Sequence, residues 1–192
     1  VFINPELPSD LVAEELDHWL VQPEFRAVKL ELDTNCRSSK LDIVMQRALA
    51  HDAIVLHHTW YWNPWDATPE QLEFQAGRSE SHDVADLARR FPEVRIVMAH
   101  LEGSGERGIL DVADLENVWI DTSGSQPFTG TLDFALETVG SKRILFGSDY
   151  SGRSLASQIG RILGSHATPE ECEDIFHRNA RELFALEESY EN

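Results

Sequence analysis

The chain repeats one unit along most of its length: a short apolar run of strand length, a loop, then a segment with helical spacing. The runs fall at residues 1–4, 26–32, 53–58, 95–100, 117–121 and 143–147. Each is too short for a helix and rich in Val, Ile and Leu, as buried parallel strands are. Helical patterns lie between them at 9–21, with Ser9 as N-cap, at 40–51, and at 83–91, with Ser81 as cap. After a turn at 103–108 another helix carries Ile109, Leu110, Val112 and Leu115; others are expected at 131–139, ended by Gly140, and at 154–163, ended by Gly164. Thr168-Pro169-Glu170-Glu171 is a capping box with proline at the first helical position, opening a bent final helix that reaches Leu186. Alternation of this kind predicts an α/β fold with parallel strands and helices outside. A closed (β/α)8 barrel of TIM type needs eight strands and about 250 residues. The six runs therefore predict about six of eight β/α units, strands 3 to 8, in one domain over residues 1–192. An open doubly wound sheet is the structural rival.

Composition narrows the partners. A formal charge of −18 sets the surface against nucleic acid and anionic membranes. No apolar run approaches the ~20 residues of a membrane span, and no basic, apolar leader is visible at the start. Cys36 and Cys172 are isolated, without a CxxC, which points to reduced structural thiols and a cytoplasmic setting. A small-molecule substrate is the expected partner. A broken barrel would leave strand edges at 1–4 and 143–147, which invite pairing with a second copy of the chain.

Three of the runs end in a metal-type side chain. The third run ends in His57-His58, the fourth in His100, and the sixth leads into Gly147-Ser148-Asp149. By strand parity Ile54, Leu56 and His58 share a face, Ile96, Met98 and His100 share one, and Leu145, Gly147 and Asp149 share one. His57 falls on the face opposite His58 unless the strand end twists. Imidazoles with a carboxylate suit Zn²⁺ first and Mn²⁺ second among divalent ions. Lys29 and Glu31 form a charged face in the alternating run 26–32; they point into a site, or the strand is an edge with one wet face. The connection after His58 is long and carries Trp60, Tyr61, Trp62 and Trp65, which either line a pocket or seal the top of the core. Asp121 and Ser123 follow the 117–121 run and face the same end, to orient a ligand, bind substrate or serve the turn.

These residues together resemble the amidohydrolase superfamily, in the amidohydrolase-related branch that includes aminocarboxymuconate-semialdehyde decarboxylase-type enzymes. The resemblance is carried by Phe91-Pro92-Glu93-Val94-Arg95-Ile96-Val97-Met98-Ala99-His100-Leu101-Glu102-Gly103, by Asn117-Val118-Trp119-Ile120-Asp121-Thr122-Ser123-Gly124, and by Arg143-Ile144-Leu145-Phe146-Gly147-Ser148-Asp149-Tyr150. It implies a barrel with a divalent metal at the strand carboxyl ends. His58 matches the family's fifth-strand histidine, His100 its sixth-strand histidine, and Asp149 its eighth-strand aspartate, which neighbours the metal and handles the proton of the attacking water. Lys29 fits the fourth-strand pattern, while Glu31 stands where a histidine is usual. The first-strand His-x-His is not in this sequence, so the chain is expected to begin at the family's third strand. The implied activity is metal-dependent hydrolysis of an amide, ester or lactone. Non-oxidative decarboxylation of a small carboxylic acid is the enzymatic alternative, and a catalytically silent binding module is the alternative of another class. On this reading Lys29, Glu31, His57, Trp60 and Ser123 would contact substrate.

Overall fold

Runs of β-branched and aliphatic residues set the sheet. The computed structural model describes residues 1–31, 34–61, 65–75, 77–124 and 130–186; Leu32 of the second apolar run and Trp62 of the aromatic connection lie outside them. Five strands form: β1 (Ala27–Leu30), β2 (Ile54–His58), β3 (Ile96–Ala99), β4 (Val118–Asp121) and β5 (Ile144–Leu145). All neighbours are parallel and the order is β1-β2-β3-β4-β5. Sequential order without reversal is the winding of a barrel; a doubly wound sheet reverses its order at a switch point. β3 sits in the middle, and all four of its residues are buried.

The helices are α1 (Ser9–Leu20), α2 (Leu41–Ala50), α3 (Pro69–Gln75), α4 (Ser81–Arg90), α5 (Leu101–Asp111), α6 (Thr131–Val139), α7 (Leu155–Leu163), α8 (Pro169–Glu173) and α9 (Asn179–Leu183). Strand parity divides the core in two. Val28, Leu30, Val55, Ile96, Met98, Val118, Ile120 and Ile144 pack under the helix layer, with Leu16, Leu41, Met45, Leu87 and Ile109. The opposite face presents Ile54, Val97 and Leu145, flanked by Ala27, Leu56 and Trp119, and α9 lays Leu183 and Ala180 on it, with Phe184 just beyond. That second face is the one a barrel turns inward. Among the described residues no helix is long and apolar enough to cross a membrane.

The first apolar run departs from expectation. It makes a single bridge, Phe2 to Lys29, instead of a strand. The Val1 carbonyl accepts from Lys29 N–H at 2.7 Å and the chain-terminal ammonium donates to the Ala27 carbonyl at 2.7 Å. Phe2 stays 71% exposed, and Pro5 ends any extension of the ladder. Helix starts differ too. Pro8, not Ser9, precedes α1, and no side chain caps it. α4 begins at Ser81, with Glu80 outside and Asp83 Oδ2 accepting the Glu80 N–H at 2.9 Å. The predicted turn at 103–108 lies inside α5, which starts directly after His100 and is broken at Gly105 (φ 61°). The connection after β2 contains α3. The capping box forms as read, with the Thr168 hydroxyl accepting the Glu171 N–H. The bend in the last helix is a π-helical turn over Asp174–Arg178. The carbonyl of Ile175 in that turn accepts the Phe146 N–H at 2.9 Å, so a helix satisfies the backbone just beyond β5. Exposed strand edges need such cover.

Candidate active site

The site is built where β2 and β3 end. His58 is the last residue of β2 and keeps strand parity, on the same side as Ile54 and Leu56. His100 does not. Ile96 and Met98 face the helices, so continued parity would bury His100 there. β3 instead ends at Ala99, and His100 takes a left-handed conformation (φ 71°, ψ 72°). This turns its ring to the inward side, where Nε2 lies 3.0 Å from His58 Nδ1 and the rings meet edge to face at 4.3 Å. A left-handed non-glycine residue costs about 1–2 kcal/mol. Two contacts hold it: the His100 N–H donates to Asp121 Oδ1 at 3.0 Å, and the ring Nδ1 lies 2.8 Å from Ser123 Oγ.

Asp121 anchors this corner. Its Oδ1 accepts from the backbone N–H groups of His100 and Ser123, at 3.0 and 2.9 Å, and from the Ser123 hydroxyl at 2.5 Å. Gly147 closes the corner from β5. A Cβ at Gly147 would stand 2.8 Å from Ser123 Cβ, 2.9 Å from Ser123 N and 3.0 Å from Asp121 Cγ, so only glycine fits there. Gly147 ends the apolar run 143–147 in the sequence and lies two residues past β5, where a glycine can mark a close backbone approach. Trp60 covers the other side of His100, with ring centroids 5.8 Å apart, and lies so close over Gly103 that a Cβ there would reach its ring at 2.6 Å.

Burial governs the electrostatics. Burial first, then the charges of His100 and Lys29, push the His58 imidazole down to about 3. Burial also lowers His100, against the opposing pull of the Asp121 and Asp149 carboxylates. Both rings are neutral at neutral pH, the state in which imidazole nitrogen offers a lone pair.

The remaining sequence candidates divide. Lys29 pairs in register with Leu56 on the inward face, its side chain 18% exposed, and β1 is at the same time the edge strand of the sheet, so each reading of β1 holds in part. Glu31 follows β1, 3.6 Å from both Lys29 Nζ and His58 Nδ1. Asp149 has a left-handed backbone (φ 50°), and its carboxylate lies 3.4 Å from Arg153 Nε. Ser123 touches His100 and Asp121. His57 points the other way: it is fully buried in the helix layer, its Nδ1 2.7 Å from the His58 carbonyl and its Nε2 3.4 Å from Ser79 Oγ. The strand end does not twist to bring it to the site. Trp65 is 92% exposed.

The donor set bears on whether a metal fits. Two nitrogen ligands about 2.1 Å from one ion, at angles between square and tetrahedral, stand ~3.0–3.4 Å apart. The 3.0 Å separation of His100 Nε2 and His58 Nδ1 matches that spacing. The fit stops at two ligands: among the described residues no three His, Cys, Asp or Glu side chains converge as an ion would need. Asp149, the third residue in the expected set, is turned to Arg153.

Comparison with known proteins agrees with this architecture. The model of the amidohydrolase family matches residues 1–186. No curated protein matches the chain. Among solved structures, 2,6-dihydroxybenzoate decarboxylase from Rhizobium superposes with a TM-score of 0.72 at 17% identity, over 93% of this chain and 68% of that one. 5-Carboxyvanillate decarboxylase from Sphingomonas paucimobilis gives 0.73 at 15% identity, over 96% and 65%. Dihydroxybenzoic acid decarboxylase from Polaromonas sp. JS666, solved with manganese and the inhibitor 2-nitroresorcinol, gives 0.68 at 19%, over 93% and 66%. At these identities the likeness is one of fold, and the chain spans about two-thirds of each of those proteins.

Proposed function

Because the chain belongs to the amidohydrolase family, we propose that the His58–His100 corner is the centre of a divalent-metal-dependent enzyme acting on a small carboxylic acid by non-oxidative decarboxylation. The observation that carries this choice over hydrolysis is the placement of Lys29. It puts a largely buried ammonium on the inward face beside two neutral imidazoles, paired only loosely with the half-exposed Glu31 at 3.6 Å. A buried cation needs a counter-charge, and a substrate carboxylate supplies one. The decarboxylases of the same fold support the same substrate class.

The chain's own groups divide the work. Lys29 would bind the substrate carboxylate or an acidic hydroxyl beside it. Loss of CO2 leaves an electron pair on carbon that must take a proton; Asp149 in its acid form, turned from Arg153 toward the site, would deliver it. Trp60 excludes water from the His100 side. His58 and His100 would hold the ion, Zn²⁺ and Mn²⁺ both suiting imidazole nitrogen, and the ion would supply Lewis-acid stabilisation of developing oxygen charge. The metal-dependent hydrolysis of an ester, lactone or amide uses the same residues and is the second reading.

The test is a paired assay. The protein is supplied with Mn²⁺ or Zn²⁺ and offered hydroxy- and dihydroxybenzoates, with CO2 release measured, and in parallel a panel of esters, lactones and amides. CO2 release that falls at least 100-fold in His58→Ala is the expected result. Turnover confined to the ester, lactone or amide panel would replace decarboxylation by hydrolysis. Inactivity on both, with ligand binding retained, would make the chain a binding module.

A further inference from the structure

The corner around Asp121 carries information about protons that the choice of reaction does not use. We propose that Asp121 and Ser123 are positioning residues that fix the tautomers of both site histidines, each ring carrying its hydrogen on Nδ1. Asp121 Oδ1 receives three contacts, at 3.0 Å from His100 N, 2.9 Å from Ser123 N and 2.5 Å from Ser123 Oγ. A carboxylate oxygen only accepts. The one hydroxyl hydrogen of Ser123 therefore lies on its bond to Asp121. Ser123 Oγ can then only accept from His100 Nδ1, 2.8 Å away, so that nitrogen carries the ring hydrogen. The reverse arrangement would set the hydroxyl lone pairs against a carboxylate at 2.5 Å.

The direction propagates. A neutral imidazole has one N–H, so Nε2 of His100 is an acceptor. Its partner at 3.0 Å is Nδ1 of His58, which must donate. The Glu31 carboxylate stands 3.6 Å from the same Nδ1 and favours a hydrogen there too. His58 then keeps its lone pair on Nε2, and an ion bound at Nδ1 would move that hydrogen to Nε2. The buried carboxylate of Asp121 thus sets the direction of every hydrogen bond from Ser123 to His58. It does so through the same atom that holds the left-handed turn at His100, so backbone strain and ring tautomer share one anchor. Ser123 acts through His100 on this account and needs no contact with substrate.

The inference rests on the preceding functional reading for the importance of His58, but the tautomers are observable with neither substrate nor metal, so the two can fail separately. The experiment is a long-range nitrogen–proton correlation spectrum of the full chain labelled with ¹⁵N-histidine, at neutral pH with a chelator present. The spectra of His58→Gln and His100→Gln assign the two rings by difference. Both should show a protonated, pyrrole-type Nδ1 and a bare, pyridine-type Nε2. Ser123→Ala should shift the His100 nitrogens toward the Nε2–H form that free imidazole side chains favour. An Nε2–H tautomer at His100 in the unmodified protein overturns the proposal, whether or not the serine variant folds. So does a folded Ser123→Ala whose His100 shifts are unchanged.

Discussion

Replacing Gly147 by alanine tests the packing of the site corner in isolation from its chemistry. The added Cβ would stand 2.8 Å from Ser123 Cβ, 2.9 Å from Ser123 N and 3.0 Å from Asp121 Cγ. Carbon contacts are at their best near ~3.5–4.0 Å, so a shift of more than about half an ångström is required. Two of the three neighbours are backbone or Cβ atoms, which cannot step aside by changing rotamer. Overpacking of this kind costs about 1–3 kcal/mol. Near 200 residues each kcal/mol moves the melting temperature by about 2–4 °C. The expected fall is therefore roughly 2–12 °C by calorimetry or circular dichroism. Gly160→Ala is the matched control. It lies in α7 with nothing within 4 Å of the new Cβ. There alanine gains helix propensity, about 0.5–1 kcal/mol, and the melting temperature should rise. If Gly147→Ala melts with or above the unmodified protein while Gly160→Ala behaves as expected, the close approach of the segment after β5 to the Asp121 corner is refuted.

Other perturbations probe other parts of the structure. Burial holds the His57 imidazole at about 4 in the folded chain, below its ordinary 6.5, so the unfolded chain binds its proton first as pH falls. This group's contribution is complete above about 6.5 and declines toward about 4, by about 1.4 kcal/mol for each pH unit and ~3 kcal/mol in all. Urea unfolding midpoints should drop between pH 7 and pH 4.5, and the drop should shrink in His57→Gln; equal drops would remove His57 as a cause. The Asn117 amide donates to the carbonyls of Ala88, Phe91 and Val94, at 3.2, 3.3 and 3.1 Å, and so satisfies the end of α4. Asn117→Ala should cost about 1–3 kcal/mol in chemical denaturation, and a change under about half that would mean water replaces the amide.

Much of the fold was legible because parallel strands announce themselves. Val55, Ile96-Val97-Met98 and Ile144-Leu145 are short apolar runs between helical patterns, and all became strands. The first run failed because apolar character alone does not supply a hydrogen-bonded neighbour; Phe2 finds only Lys29. Acidic caps were harder to read. Glu80 and Asp83 close the start of α4 where Ser81 looked the natural cap, since carboxylates accept backbone N–H as hydroxyls do. At the site, His58 and His100 were identified as a pair by their strand-end positions. Parity alone puts His100 with Ile96 and Met98 on the helix side; it reaches the inward side through a left-handed backbone held by Asp121. A side chain that acts by accepting a backbone N–H twenty-one residues earlier leaves no local pattern. His57 illustrates the converse: the same residue type, one position away, is buried on the helix side because strands alternate.

The central claim is that the inward-facing His58–His100 pair, and no other histidine, is where a divalent ion binds. Mn²⁺ added in substoichiometric steps to ¹⁵N-histidine-labelled protein tests it directly, because paramagnetic broadening erases the nearest imidazole signals first. His51 and His166, each beside an aspartate at 2.7 and 3.5 Å, are internal controls with a carboxylate partner of their own. The prediction is that the His58 and His100 signals vanish together while those of His51 and His166 persist. Uniform fading of all eight histidines, or survival of the His58 and His100 signals, would contradict it.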